Sequence, residues 1–213
     1  PAKYSEALIP HLASAVTGCQ RILDPFAGTG RIFKLLDFDP SLEIQAIEIE
    51  PEWKQLDQRI TLGNALYLPW SDSNFDAIVT SPTYGNRMAD HHNAKDDSRR
   101  NTYRHALNRP LRPDNSGAMQ WGESYKNFHS LAWKESIRVL RCGGRFVLNI
   151  KNHVRAGKIV DVIEWHHQTL GEYGLTLVGV TKVFCPGNRY GQNGQARIDH
   201  EEVRVYVKSM EER

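Results

Sequence analysis

Cysteine is scarce in this chain: Cys19, Cys142 and Cys185 are the three it has in 213 residues. They lie far apart, form no C-x-x-C pair and are odd in number, which argues against both a disulfide framework and a zinc site. Long apolar runs are also missing. None approaches the ~20 residues of a membrane span, and no secretory signal is visible, so a cytoplasmic protein is the expectation. There is no Gly-Lys-Ser/Thr, which excludes a P-loop. The third glycine of a G-x-G-x-x-G fingerprint is replaced by Phe33, which weakens a nicotinamide or flavin reading. Internal repeats and low-complexity segments are absent. Net charge is nearly absent too, at +2. That is too small to argue for a nucleic-acid partner, so the distribution of charge must decide. What remains is ordinary globular material, 40% hydrophobic and 24% charged, and long enough for one full core.

The chain is organised around Leu23-Asp24-Pro25-Phe26-Ala27-Gly28-Thr29-Gly30. It follows the short apolar run Arg21-Ile22-Leu23 and leads into a helical pattern from Arg31 to Leu36. That reads as strand, glycine turn and helix start. Gly28 and Gly30 allow a sharp turn and leave room for a ligand against the main chain. Asp24 and Phe26 fall at the carboxyl end of the strand, where open α/β sheets bind ligands. Glu43 to Ile49 alternates as a second strand that ends acidic. An acid there, about 20 residues past the turn, is placed to accept from ribose hydroxyls. Glu48 fits that place, and Glu50 reads as a solvated turn residue. Ile60 to Ala65 suggests a third strand and its loop. Phe75 to Thr80 is a buried strand run that ends in Ser81-Pro82-Thr83-Tyr84-Gly85.

Residues 86–126 have little apolar periodicity, and a loop this long in a compact domain is usually functional. It holds eight basic and five acidic residues, so the basic excess of the whole chain sits here. Arg99-Arg100-Asn101-Thr102-Tyr103-Arg104, with Arg87 before it, mixes groups suited to phosphates, base edges and stacking. The segment reads as a substrate-recognition element; the other reading is a flap that closes over a cofactor. His91-His92 beside Asp90 gives no metal-ligand pattern, so no metal is expected. Further on, Ser124 to Leu140 carries a helical apolar stripe, Arg141-Cys142-Gly143-Gly144 reads as a glycine cap, and Arg145 to Ile150 as a strand. Gly157 to Gly171 reads as a helix with His166 and His167 structural. Leu175 to Phe184 and Val203 to Val207 read as a closing hairpin, whose loop offers Arg189, Tyr190 and Arg197 as further nucleic-acid contacts. At the start, Ser5 is a plausible N-cap for a helix that buries Leu8 and Leu12.

D-P-F-A-G-T-G resembles motif I of the class I S-adenosylmethionine-dependent DNA amino-methyltransferases, which act on adenine N6 or cytosine N4. Ser81-Pro82-Thr83-Tyr84 is similar to their (D/N/S)-P-P-(Y/F/W) motif IV, with Thr83 in place of the second proline. The resemblance implies a single methyltransferase domain with a Rossmann-like α/β fold. Its sheet would have seven mostly parallel strands, a terminal antiparallel hairpin and helices on both faces. It implies S-adenosylmethionine as cofactor, held by Asp24 to Gly30, Glu48, Ile49, Asn64, Ala65 and Ser81. Asn64 stands where relatives often carry an aspartate that accepts from the adenine amine. Lys3, Tyr4 and Ser5 match a cofactor-flanking stretch, with a plain sheet-covering helix as the equal alternative.

The chemistry suits the residue types. An exocyclic base amine is a poor nucleophile because its lone pair is delocalised into the ring. Acceptors at Ser81 Oγ and the Pro82 carbonyl would hold its two hydrogens and turn the lone pair towards the methyl group. Tyr84 would stack on an extruded base. Carbon-5 methylation of cytosine is disfavoured, because the loop has no nucleophilic cysteine. The expected partner is DNA, with RNA as the alternative; target recognition would fall to the 86–126 insert and the hairpin loop, or to a partner subunit or a homodimer. A non-catalytic methyltransferase-like subunit and a protein or small-molecule methyltransferase are the other readings.

Overall fold

In the computed structural model, residues 4–85, 107–155, 157–185 and 198–210 are described. Their strands are β1 (Arg21–Asp24), β2 (Glu43–Glu48), β3 (Thr61–Leu62), β4 (Phe75–Thr80), β5 (Leu140–Ile150), β6 (His153–Arg155), β7 (Lys158–Val160), β8 (Leu175–Phe184) and β9 (His200–Lys208). The helices are α1 (Ile9–Ala15), the single turn α2 (Pro51–Lys54), α3 (Glu123–Val139) and α4 (Val162–Glu172). Seven strands form one sheet in the order β3-β2-β1-β4-β5-β9-β8, and β6 and β7 form a separate hairpin. The pairs among β3, β2, β1, β4 and β5 are parallel, while β9 runs antiparallel to both β5 and β8. The expected α/β sheet with its terminal hairpin is therefore borne out.

Strand periodicity explains why the central strands are almost wholly apolar. Ile22, Ala77, Val79 and Val147 point into a core shared with Leu8 and Leu12. Their neighbours Leu23, Ile78, Phe146 and Leu148 point the other way, into a core shared with Trp133. Successive side chains face opposite sides of a sheet, so a sheet covered on both faces needs both sets apolar. The chain order reverses between β1 and β4, and this switch point opens a crevice at the carboxyl ends of the strands.

Several local expectations change. The run after the glycine turn is a 3-10 helix over Arg31–Asp37 with no side-chain cap. Gly30 there has φ +78°, and a Cβ would lie 3.1 Å from Ile60 Cδ1. The conformation favours glycine, and the space beside it is tight. α3 ends at Val139, and Leu140 is already extended. The two glycines after it therefore belong to β5 and cap nothing: Gly143 has φ +69°, and a Cβ on Gly144 would come within 2.6 Å of Leu140 Cδ1. They bend the strand where its register with β4 shifts, as bulges do. Ser5 precedes a 3-10 turn over Glu6–Leu8 and makes no capping bond, although Leu8 and Leu12 are buried as expected. The helix expected over 157–171 begins only at Val162, capped by Asp161, after the β6–β7 hairpin.

Candidate active site

The crevice holds a pocket that, counted with the solvent space at its mouth, spans about 630 Å³. Each strand end contributes to it. Pro25, Phe26 and Gly28 come from the turn after β1, Glu48 and Ile49 from the end of β2, Asn64 and Ala65 from the loop after β3, and Ser81, Pro82 and Thr83 from the loop after β4. Ten of the residues singled out in the sequence thus line one space. Trp53 of α2 lines it as well, 7% exposed and packed with Leu111.

Glu48 is nearly buried, and its Oε1 accepts from the Glu50 amide at 2.8 Å. Burial pushes its carboxyl up to about 7, against backbone N–H groups of Glu50, Ile49 and Gly28 that pull it down. Three donors on a carboxylate leave acceptor capacity for a further hydroxyl. Asp24 plays a different part. It is fully buried, with Oδ1 accepting from the Phe26 amide at 3.0 Å and Oδ2 from the Tyr4 hydroxyl at 3.1 Å. Burial raises it to about 7 as well. It ties the glycine turn to the N-terminal flank and does not line the pocket. Tyr4 is buried through this bond, and Ser5 Oγ lies 3.4 Å from Cys185 Sγ. Ala27, Thr29 and Gly30 shape the turn behind the lining. Lys3 lies outside the described residues, as do Arg87, Asp90, His91, His92, Arg99, Arg100, Tyr103, Arg104, Arg189, Tyr190 and Arg197. Among the described residues no cluster of His, Cys, Asp or Glu suits a metal ion, and no helix is long and apolar enough to cross a membrane.

Glu50 requires a correction. Expected in solvent, it is fully buried. Its Oε2 receives Arg109 Nη2 at 2.6 Å. Its Oε1 takes the Arg112 amide at 2.9 Å and Asn115 Nδ2 at 2.8 Å. Arg109 also donates to Glu52, from Nε at 2.7 Å. This clasp lays the segment from Arg109 to Ser116 against the crevice, where Asp114, Asn115 and Ser116 complete the pocket wall. The end of the long loop thus belongs to the pocket. The local sequence gives no sign that Glu50 is buried along with Glu48; the long-range arginine brings that about.

At the β4 end, Ser81 Oγ lies 3.1 Å from the Tyr84 hydroxyl and accepts from Asn149 Nδ2 at 3.2 Å. Tyr84 donates to Glu201 Oε2 at 3.3 Å, and Asn149 donates to the same oxygen at 2.7 Å. Asn149 is at the end of β5 and Glu201 at the start of β9, which pair antiparallel next to β4. Asn149 falls within the strand expected over Arg145 to Ile150, and nothing local in the sequence marks it or Glu201 as part of the site. The pairing of strands far apart in sequence brings them to Ser81. Thr83 is held twice. Its carbonyl accepts from the Tyr125 hydroxyl at 2.5 Å, and its Oγ1 donates to Ser116 Oγ at 3.1 Å. A proline at this position would lack that second bond. Tyr125 in turn meets His166 Nε2 at 3.0 Å, while His166 Nδ1 accepts from Trp133 Nε1 at 2.9 Å. Burial holds the His166 pKa well below its usual value, so the ring is a neutral strut beneath the loop.

No protein-family model matches the chain, and no curated protein matches it. Solved structures do. A SAM-dependent methyltransferase from Methanosarcina mazei shares 14% identity over 95% of this chain and 98% of its own, with a TM-score of 0.61. The N-methyltransferase NodS from Bradyrhizobium japonicum shares 13% over 95% of this chain and 94% of its own, with a TM-score of 0.57. The fold is theirs. The [4+2]-cyclase SpnF also matches, with 15% identity over 98% of this chain and 84% of its own and a TM-score of 0.57. The reaction must therefore be argued from the site and not from the fold.

Proposed function

We propose that this chain transfers a methyl group from S-adenosylmethionine to the exocyclic amine of a base in DNA, adenine N6 or cytosine N4. The observation that carries the reading is the continuity of one pocket from Glu48 to Ser81. A buried acid placed for a ribose and a Ser-Pro loop placed for an amine open into the same space. Methyltransferases named as SAM-dependent among the structural neighbours support the cofactor.

The residues fit it. Glu48 retains acceptor capacity for a ribose hydroxyl. Gly28 has φ +54° and lets the turn lie against a ligand. When bound, the cofactor supplies an already activated methyl group. The chain supplies orientation. Asn149 uses one lone pair of Ser81 Oγ, and the Ser81 hydroxyl donates to Tyr84, which donates onward to Glu201. One lone pair on Ser81 stays free for an amine hydrogen, and the buried Pro82 offers its carbonyl to the other. Proline's fixed φ holds that carbonyl in place. The Tyr84 ring, anchored through its hydroxyl, would stack on the extruded base.

The test offers tritiated cofactor with unmethylated genomic DNA, total RNA and a protein extract in parallel, followed by digestion of the labelled polymer. Label in N6-methyladenine or N4-methylcytosine from DNA is the expected result. Label in RNA alone would move the acceptor to an RNA base amine. Label in protein alone would overturn the base-amine reading.

A further inference from the structure

The long loop contributes to the pocket at the end opposite Ser81. Strand order fixes what lies there. Ser81 follows β4, Gly28 follows β1, Glu48 ends β2 and Asn64 follows β3, and these strands are consecutive neighbours in the sheet. Three strand spacings separate the ends, roughly 14 Å. This argument rests on the methyltransferase reading above. With the methyl group at Ser81 and the ribose at Glu48, the purine falls on the β3 side, between Asn64 and the wall formed by the loop.

Asn64 is a weaker acceptor for the purine amine than a carboxylate beside it. Its Oδ1 already takes the Leu66 amide at 3.0 Å, and its Nδ2 donates to Asp114 Oδ2 at 3.2 Å. The side chain thus presents its donor towards Asp114 and commits one of its oxygen's two lone pairs to its own turn. Asp114 lines the same pocket with a side chain 43% exposed. An ionised carboxylate is acceptor-only, with about four lone-pair sites. Asn64 occupies one, and Arg112 Nε makes a long contact of 3.4 Å to the other oxygen. The Glu50–Arg109 clasp and the Asn115 bond to Glu50 fix the two sides of Asp114.

We infer that Asp114, delivered by the long loop, is the acceptor that recognises the exocyclic amine of the cofactor's purine, with Asn64 as the residue that orients it. The loop that leaves the catalytic motif therefore returns to read the cofactor. The pocket selects a 6-aminopurine over a purine without that amine.

Calorimetric titration tests this without turnover. The protein is titrated with S-adenosylhomocysteine and with its analogue carrying unsubstituted purine in place of adenine. The wild type is expected to prefer the adenine compound by about tenfold or more, the worth of a hydrogen bond to a charged acceptor. Asp114→Ala is expected to bind the two within about twofold of one another, and Asn64→Ala to keep a clear preference. No binding of S-adenosylhomocysteine by the wild type would overturn the cofactor assignment and this inference with it. Equal binding of both compounds by the wild type would overturn the inference alone, whatever the variants do. So would a preference that survives Asp114→Ala or vanishes in Asn64→Ala.

Discussion

The two ends of the pocket are built from different materials. The β2–β3 end relies on acids: Glu48 held by backbone amides, Glu50 clasping Arg109, and Asp114 set by Asn64. The β4–β5–β9 end surrounds Ser81 with a hydroxyl and an amide and keeps its acid, Glu201, one partner away. On the proposed function, the difference suits two tasks. Charged acceptors bind hydroxyl and amine groups tightly. A neutral acceptor beside a reacting amine steadies it without trapping the proton it must lose. The ends meet through Thr83 and Ser116, so the loop tethered at the binding end also touches the reacting end.

Breaking the binding end should have the largest effect on the molecule. Glu50→Ala leaves Asn115 Nδ2 and the Arg112 amide without their acceptor in a buried setting. The expected cost is about 3 kcal/mol, seen as a fall in melting temperature of about 8 °C, with weaker S-adenosylhomocysteine binding. An unchanged melting temperature would remove the clasp from the account. Breaking the reacting end should spare binding. Ser81→Ala is expected to lower turnover about a hundredfold, as loss of an oriented partner does, with S-adenosylhomocysteine affinity within twofold of wild type. Comparable loss of affinity would show that the two ends are not separable.

The comparison sharpens with pH. Asp24 and Glu48 are both raised to about 7 in the fold. The native state therefore holds protons that the unfolded chain has released. Their contribution to stability is complete below the ordinary carboxylate range and is lost as pH rises from about 4 to about 7. Melting temperature should fall across that window, and Asp24→Asn should flatten the fall. Ligand affinity should move the opposite way, rising through about pH 7 as Glu48 ionises to accept from hydroxyls. Calorimetry at pH 6 and pH 8 checks the sign, and Glu48→Gln should abolish the difference. The smallest effect belongs to the contact between the ends. Thr83→Val removes one hydroxyl bond and should cost about 1 kcal/mol, measured by denaturant unfolding, with turnover reduced only a few-fold.

Much of this was legible in the sequence because it is local. The β1 turn, the acid of β2 and the Ser-Pro loop after β4 each announce themselves within eight residues, and strand alternation orders them. The rest depends on partners remote in sequence. Glu50 is buried by an arginine that returns from the long loop. Asn149 and Glu201 reach Ser81 only through the antiparallel pairing of β5 with β9. Gly143 and Gly144 look like a helix cap, yet Gly143 is required by its positive φ and Gly144 by the approach of the Asp76 backbone to β5. Local propensity cannot see an approach of that kind.

Trp53 gives the pocket an optical property. Its indole stands in the lining one turn after Glu50, pressed against Leu111 of the wall. On the proposed reading a purine arriving on the β3 side would come within quenching range of that ring, while Trp70, Trp121, Trp133 and Trp165 supply the background. The protein thus reports occupancy of this end through its own emission. Comparison with Trp53→Phe would isolate that signal without any attached dye.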